Sequence, residues 1–339
     1  MKKFLVIFLC LALVFTMVAC GGTEPSGEGD VAETYELVIG HVYTTDSLEA
    51  DMTEYLKEQI EERTEGRVTV TIYANEILGS ERETCEQVVM RTCDVTFSEG
   101  SMWSTVTGVK ELGVYGLPFM YSNVESANYA VKNLITPGLT QICEENDLPI
   151  VPFYTVQSGF RHLFTVDTPV YQLSDISGLK VRVPEVDLYV QIWDSLGANP
   201  TTTAFSEAYQ ALQQGVVKGC EIDYANCVQQ NWHEVVNYCT KTGHLAALNV
   251  AMINKEKWES FPEDIQQILW ECVSDAEDYN HSNRDEADAM YVEDIVGAGV
   301  EIIELDAAAL AEMRAACQSI YDEFVALGVG DLIDEVAAH

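Results

Sequence analysis

The stretch of residues 175–215 carries the pattern that most narrows the possible folds of this 339-residue chain. Residues 181–183 alternate apolar, charged and apolar side chains, as a short strand does, and Pro184 ends the run because it has no N–H for a ladder hydrogen bond. Gly197 then ends a helical segment, and a second helical period follows. The stretch predicts an α/β unit with Arg182 at the carboxyl end of a strand, where open α/β sheets bind ligands.

Arg182 and Phe205 are the first candidate binding residues. A guanidinium supplies planar paired donors for a carboxylate, and an aromatic ring from the neighbouring turn covers the apolar part of an organic anion. The alternative is that Arg182 pairs with a surface carboxylate of the protein and that Phe205 belongs to the core. The residues alone leave both interpretations open.

Four segments, taken in order, resemble one family. They are GFRHLFT (159–165), GLKVRVPE (178–185), the long run 196–221 and FPEDIQQIL (261–269). Together they are similar to the extracytoplasmic solute receptors of TRAP transporters, the DctP type, and the likeness covers nearly all of the chain from Tyr35 onward. The resemblance implies an α/β, two-lobed periplasmic-binding-protein-like fold with an interdomain ligand cleft and a long helix spanning both lobes.

The N-terminus resembles an export signal. Residues 1–19 combine two lysines with an apolar run shorter than the roughly 20 residues of a spanning helix, and are interpreted as a lipoprotein-type signal peptide. Cys20 resembles the lipidated cysteine of a bacterial lipobox, with simple cleavage as the alternative. Residues 20–33 are rich in Gly, Glu, Ser and Pro and predict a flexible tether. The protein is expected outside the cytoplasm, lipid-anchored to the cell membrane or periplasmic.

Composition excludes several classes of partner. The formal net charge of −37 disfavours nucleic acid and anionic membrane surfaces, so capture of an anion must depend on a few local donors.

The ten cysteines show no CxxC pair and no Cys/His ligand spacing, so no metal site and no cofactor are predicted. Whether the eight cysteines beyond the signal form disulfides stays open.

The resemblance assigns the chain to two lobes. Lobe I comprises residues 34–158 and 248–286, and lobe II comprises residues 159–247 and 287–339. The first crossover is placed at Ser158–Gly159, after an apolar strand. Strictly alternating side chains predict strands at 35–40 and 68–73, with a helix between them.

Further elements are predicted along both lobes. The pattern predicts a helix over 80–92 and strands at 94–97 and 247–252. The resemblance adds the long helix, over 262–296, then a strand over 299–303 and a helix over 307–324. No internal repeat is visible.

Further site residues follow from the resemblance. Glu99, just past a strand, corresponds to a carboxylate that bonds a ligand hydroxyl or amine or braces an arginine, and its alternative is a helix cap or a solvated charge. Arg161 is the second arginine, which helps to hold the ligand or supports Arg182. Trp103 lines the cleft or packs beneath it.

One segment departs from the family pattern. Relatives commonly have Asn and Pro where this chain has Ile222 and Asp223, and Val42 replaces a polar residue of some relatives. The apolar side chains of Ile222 and Val42 predict a ligand with few hydroxyl groups. Tyr224, Asn226 and Tyr43 are candidates to replace the lost polar contacts.

The resulting hypothesis is a monomeric binding protein, not an enzyme. It would capture a small organic acid, close around it and deliver it to the membrane permease subunits of a TRAP-type secondary transporter. A ligand-binding sensor for a signalling partner is the alternative, followed by a secreted hydrolase. No G-x-S-x-G, H-E-x-x-H or glycine-rich phosphate loop supports an enzyme.

Overall fold

The computed structural model describes residues 33–339. The predicted signal peptide, the lipidation site Cys20 and the tether up to residue 32 lie outside this part of the chain. Within it, no helix is both long enough and apolar enough to cross a bilayer.

The described residues contain one mixed sheet. Its strands are β1 (Tyr35–Gly40), β2 (Val68–Tyr73), β3 (Val95–Glu99), β4 (Ile150–Thr165), β5 (Lys180–Val183), β6 (Asn199–Thr202), β7 (Gly219–Ile222), β8 (Tyr238–Asn254) and β9 (Glu301–Glu304). They follow the order β2-β1-β3-β8-β4-β7-β5-β6, and β9 pairs with β8. The β1 and β2 strands are parallel, as the opening βαβ pattern predicts.

Two long antiparallel strands, β4 and β8, join two groups of shorter strands. Residues 249–253 of β8 pair with β3, which leads to β1 and β2. Residues 162–165 of β4 pair with β7, which leads to β5 and β6. The register between β4 and β8 shifts between Gln157 and Phe160. The predicted crossover at Ser158–Gly159 therefore falls inside one continuous, irregular strand.

Helices cover the sheet. They are α1 (Leu48–Arg63), α2 (Glu81–Val89), α3 (Gly100–Thr107), α4 (Val124–Ala130), α5 (Thr136–Glu145), α6 (Asp187–Ser195), α7 (Ala208–Gln213), α8 (Tyr224–Gln229), α9 (Lys255–Ser260), α10 (Glu263–Gly297), α11 (Ala307–Ala316), α12 (Gln318–Ala326) and α13 (Gly330–Ala337). Side chains cap several of them: Ser47 accepts from the amide of Ala50, and Ser80 forms a capping box with Glu83.

The predicted long helix is present as α10, 35 residues from Glu263 to Gly297. Its N-terminal half has an apolar stripe at Ile265, Leu269 and Cys272, all fully buried. This stripe packs on α1 and shares a core with the residues of β1 and β3. Farther along, α10 contacts β4 and α8, so one helix touches both strand groups.

Three local predictions were wrong. The loop expected after Gly197 contains β6, which sits at the sheet edge, where Pro200 removes no central ladder bond. The helix expected over 307–324 is interrupted at Cys317 and continues as α12, followed by the unpredicted α13. The helix expected over 80–92 ends at Val89, because Arg91 adopts a positive φ of 62°.

Candidate ligand-binding site

A cavity lies where the residues after β1, β3, β5 and β7 meet β4 and β8, and its empty space, with the part open to solvent, is about 510 Å³. Carboxyl ends of parallel strands are the usual position for ligands in α/β sheets. The lining residues come from both strand groups; they are Val42, Tyr43, Glu81, Glu99, Met102, Arg161, Arg182, Pro184, Val186, Phe205, Ile222, Asp223, Asn226, Ala247 and Asn249.

Arg182 is buried in the cavity wall without an acidic partner. It lies in β5 between β6 and β7 and is 1% exposed. Its Nε donates to the Thr203 hydroxyl at 3.2 Å and its Nη2 to the Thr203 carbonyl at 2.6 Å, while its guanidinium stacks on the Trp232 ring at 5.4 Å. No residue that the structure describes forms an ion pair with Arg182. Burial lowers the pKa of Arg182 to about 10, which leaves it charged at neutral pH.

Arg161 differs from Arg182 because its guanidinium already donates hydrogen bonds to carboxylates of the protein. Its Nε and Nη2 donate to the two carboxylate oxygens of Glu221 at 2.6 and 2.7 Å, a paired fork contact. Its Nη1 donates to Glu99 at 3.1 Å. Burial alone would raise the pKa of Glu221, but Arg161 and His244 together outweigh burial and hold that pKa below its usual value.

His244 extends this ion pair away from the cavity. Its Nε2 lies 3.3 Å from Glu221 Oε2, and its Nδ1 lies 2.8 Å from the Thr242 hydroxyl. Burial lowers the pKa of His244, so the ring is neutral, donates from Nε2 and accepts at Nδ1. The arrangement fixes Glu221 and, through it, the guanidinium of Arg161.

Glu99 is the last residue of β3 and the N-cap residue of α3, so the strand extends two residues beyond its predicted end at residue 97. One of its oxygens accepts from Arg161 and the other from the Tyr189 hydroxyl. Burial raises the pKa of Glu99 to about 8, because the attraction of Arg161 only partly offsets desolvation and repulsion by Glu221. Both oxygens are therefore held by protein groups, which fits a carboxylate that braces Arg161.

The structure brings most of the predicted residues together. Tyr43 stacks on Phe97 with ring centroids 5.3 Å apart and reaches the cavity. Phe205 and Asn226 also line it, as do Val42 and Ile222, the two apolar departures from the family pattern. These five residues, with Glu99, Arg161 and Arg182, were expected at the site. Phe205 also contacts Trp232 at 5.5 Å.

Trp103 and Tyr224 are not part of the cavity wall, contrary to the expectation for Tyr224 and in agreement with the alternative that Trp103 packs beneath the cleft. Trp103 is fully buried in the core, where its Nε1 donates to the Val250 carbonyl at 3.0 Å. Tyr224 lies against His162, with ring centroids 4.7 Å apart, and lines a different groove. In both cases the neighbouring residue, Met102 or Asp223, faces the cavity instead.

Glu81 and Asn249 line the cavity and were not predicted from the sequence. Glu81 is the first residue of α2, and its side chain accepts from the Ser98 hydroxyl at 2.5 Å. A usable signal was present, since Ser80 is a typical helix cap and the turn before a helix in an α/β unit borders the ligand edge. Asn249 lies within an apolar strand and offered no such signal.

The cysteines and acids of the described chain form no metal site. No group of three or more His, Cys, Asp or Glu side chains within residues 33–339 is arranged to hold a metal ion. The eight cysteines of this part are buried free thiols. Burial raises the pKa of Cys220, which lies next to Glu221 on β7 and packs in the core as a small apolar side chain.

The cavity lies between two strand groups, is bordered by strand ends and has the buried Arg182 guanidinium in its wall. This is the architecture of a solute-binding protein. The chain belongs to the DctP family, bacterial extracellular solute-binding protein family 7, which matches residues 39–327. The members of this family are binding receptors of TRAP transporters, not enzymes. The α/β, two-lobed fold is thereby confirmed, and the helix α10 is consistent with the expected long helix.

Individual relatives support the assignment. The chain is 32% identical over 273 residues to a solute-binding protein of Chromohalobacter salexigens, covering 80% of this chain and 79% of the relative. It is 26% identical over 294 residues to the C4-dicarboxylate-binding periplasmic protein DctP of Rhodobacter capsulatus, covering 86% and 87%. A solved TRAP periplasmic solute-binding protein from C. salexigens, with bound D-glucuronate, superimposes with a TM-score of 0.83 at 28% identity, covering 88% of this chain and 98% of that one.

Proposed function

We propose that this protein captures a small organic acid outside the cytoplasm and presents it to the permease subunits of a TRAP-type secondary transporter. The carboxylate of the ligand would form a salt bridge to Arg182. Two relatives support the ligand class: one is named for C4-dicarboxylates, and the solved C. salexigens protein holds D-glucuronate. Both ligands are small organic acids.

The observation that carries the proposal is the unpaired charge of Arg182. A fully buried cation without a counter-ion costs several kcal/mol, because desolvation is not repaid by an opposite charge. Thr203 satisfies Nε and Nη2, whereas Nη1 makes no hydrogen bond to any residue described by the structure. A ligand carboxylate in the cavity would supply both the missing charge and the missing acceptor.

Arg161 would have a supporting role, and Arg182 would form the main salt bridge to the ligand. Glu221 already compensates its charge and Glu99 accepts from its Nη1, so a ligand carboxylate gains less from Arg161 than from Arg182. This division of roles matches the expectation from the sequence.

The proposal includes closure and attachment. Lobe I (34–158 and 248–286) and lobe II (159–247 and 287–339) would close over the ligand by bending β4 and β8. The monomeric receptor would be held at the membrane through a lipid on Cys20. Recognition by the permease would depend on the closed form.

Calorimetric titration of Arg182 variants tests the proposal. A thermal-shift screen of organic acids first identifies a ligand, which at about 100 times its Kd stabilises the protein by about 2.7 kcal/mol. Arg182→Ala should then weaken binding by about 3–5 kcal/mol, or roughly two to four decades in Kd. Arg182→Lys should also bind poorly, because an ammonium group keeps the charge and loses the planar paired donors.

The control variant is Arg91→Ala, which removes a solvent-exposed arginine paired with Glu256. Its affinity should equal that of the wild type. If Arg182 only braces the fold, Arg182→Ala lowers the melting temperature and leaves the affinity of the folded protein unchanged. Near wild-type affinity in both Arg182 variants would refute the proposed salt bridge.

A further inference from the structure

The cavity contains more hydrogen-bond acceptors than the protein satisfies. Asn226 is 5% exposed, and its amide nitrogen donates to Asp223 Oδ2 at 2.8 Å, which fixes the orientation of the amide. The remaining oxygen, Oδ1, is buried and has no hydrogen-bond partner. A buried acceptor left without a donor is unfavourable, so a donor group of a ligand in the cavity would gain a hydrogen bond to Asn226 Oδ1.

Glu81 provides a second open acceptor. One of its carboxylate oxygens accepts from the Ser98 hydroxyl at 2.5 Å, and the other makes no hydrogen bond to any residue in the described chain. Burial raises the pKa of Glu81 even though Arg161 and Arg182 both oppose that change. The half-buried Glu81 carboxylate thus keeps one oxygen free for a donor at the cavity wall.

The number of acidic side chains at the site also favours a ligand with donor groups. Four acids, Glu81, Glu99, Glu221 and Asp223, surround the two arginines of the site. Arg161 is already shared between Glu221 and Glu99. An acid with only a carboxylate and an apolar body would offer no donor to these acids or to Asn226 and would leave the open acceptors unsatisfied.

We propose that the cognate ligand carries, besides the carboxylate bound by Arg182, hydroxyl or ammonium groups that donate hydrogen bonds to Glu81 and Asn226. The inference rests on the proposed function and specifies the ligand class of that same site. It replaces the expectation of a ligand with few hydroxyl groups, because Val42 and Ile222 are only part of a wall that also presents these acceptors. Glu81 is accordingly a specificity-determining residue.

Matched ligands test this inference by calorimetric titration of the mature protein. Succinate, malate and aspartate share one four-carbon skeleton and differ by a hydroxyl or an ammonium group. D-glucuronate and tetrahydropyran-2-carboxylate share one ring and differ in hydroxyl groups. In each set the donor-bearing acid should bind at least about tenfold more tightly than the bare skeleton, since one buried acceptor is worth about that factor.

Glu81 variants distinguish hydroxyl from ammonium donors. Glu81→Gln keeps an acceptor oxygen and removes the charge, so it should weaken an ammonium ligand at least tenfold and a hydroxylated ligand much less. Glu81→Ala should weaken both. Glu86→Gln, which changes a half-exposed acid of the same helix that does not line the cavity, should leave every affinity unchanged.

Proton linkage gives an independent readout. Titrations in two buffers of different ionisation enthalpy report protons taken up or released on binding. A hydroxylated anion near Glu81 raises the pKa of the surrounding acids and should cause net proton uptake, whereas an ammonium group lowers those pKa values and should cause none or net release.

Failure of this inference is separable from failure of the proposed function. If Arg182→Ala abolishes binding but the bare-skeleton acids bind as tightly as their donor-bearing partners, the donor subsite is wrong and the carboxylate site stands. Equal affinities in wild type and Glu81→Ala for all ligands would also overturn it. If no acid binds the wild type, the proposed function itself fails.

Discussion

At the residue scale, Glu99 should determine how stability depends on pH. The folded-state pKa of about 8 exceeds the usual value of about 4.3, so the folded protein holds a proton that the unfolded chain has released between these values. Stability from this group is therefore largest below about pH 4 and decreases as the pH rises toward 8. The decrease is at most about 1.4 kcal/mol per pH unit.

Glu99→Gln should remove this decrease. The amide keeps an acceptor for Arg161 and cannot ionise, so the variant should gain stability relative to the wild type at pH 8 and gain little at pH 5. Urea unfolding at both pH values measures the difference. Glu58→Gln, at an exposed position of α1, serves as the control, and parallel pH slopes in all three proteins would contradict the expectation.

Which individual residues the sequence could identify depended on local constraints. Arg182 was predictable because a strand and its terminating proline are visible in four residues, and the carboxyl end of a strand is a ligand edge. Tyr43 and Asn226 required the family resemblance. The positions of Trp103 and Tyr224 could not be determined, because each belongs to a helix, α3 or α8, whose rotation against the core the sequence does not specify.

At the element scale, β4 depends on the glycine at its irregular centre. Gly159 has a φ of +93°, and a Cβ at this position would lie 3.2 Å from Asp288 Oδ2 of α10. Gly159→Ala therefore combines backbone strain with a close contact and should destabilise the protein by about 1–3 kcal/mol. Equilibrium unfolding in urea measures the loss.

Gly66→Ala separates the two contributions. Gly66 also has a positive φ, +77°, but nothing lies within 4 Å of an added Cβ. It should therefore lose only the conformational part, about 1 kcal/mol. Equal losses at both glycines would show that the contact with Asp288 has no energetic effect.

The elements with strict periodicity were predictable, and those set by distant partners were not. The alternation of β1 and β2 predicts both strands with their observed bounds. In contrast, β4 and β8 are far longer than their apolar runs, because pairing with each other and with β3 and β7 extends them through polar residues. The strand β6 forms because it pairs with β5. A segment that contains a proline gives no sequence signal for this pairing.

At the scale of the whole molecule, a chain of buried polar contacts connects the cavity to α10. Asn249, in the cavity wall, donates to the Ser158 hydroxyl at 3.2 Å, and Ser158 donates to Glu49 at 2.8 Å. Glu49 also accepts from Arg284 of α10 at 2.7 Å. This series of polar contacts passes through the irregular centre of β4. Bending at that centre would therefore change the contacts of both the ligand site and the long helix.

The final prediction concerns closure, for which this connection provides the structural basis. If β4 and β8 bend around residues 157–160, the two groups of strands approach each other when a ligand carboxylate bridges the groups that line the cavity. Small-angle scattering should then show a smaller radius of gyration in the presence of a saturating acid than in its absence. Arg182→Ala, which removes the main contact, should show no change at the same acid concentration. An unchanged radius of gyration for the wild type, at a concentration where calorimetry shows saturation, would mean that the ligand enters a preformed cavity without closure.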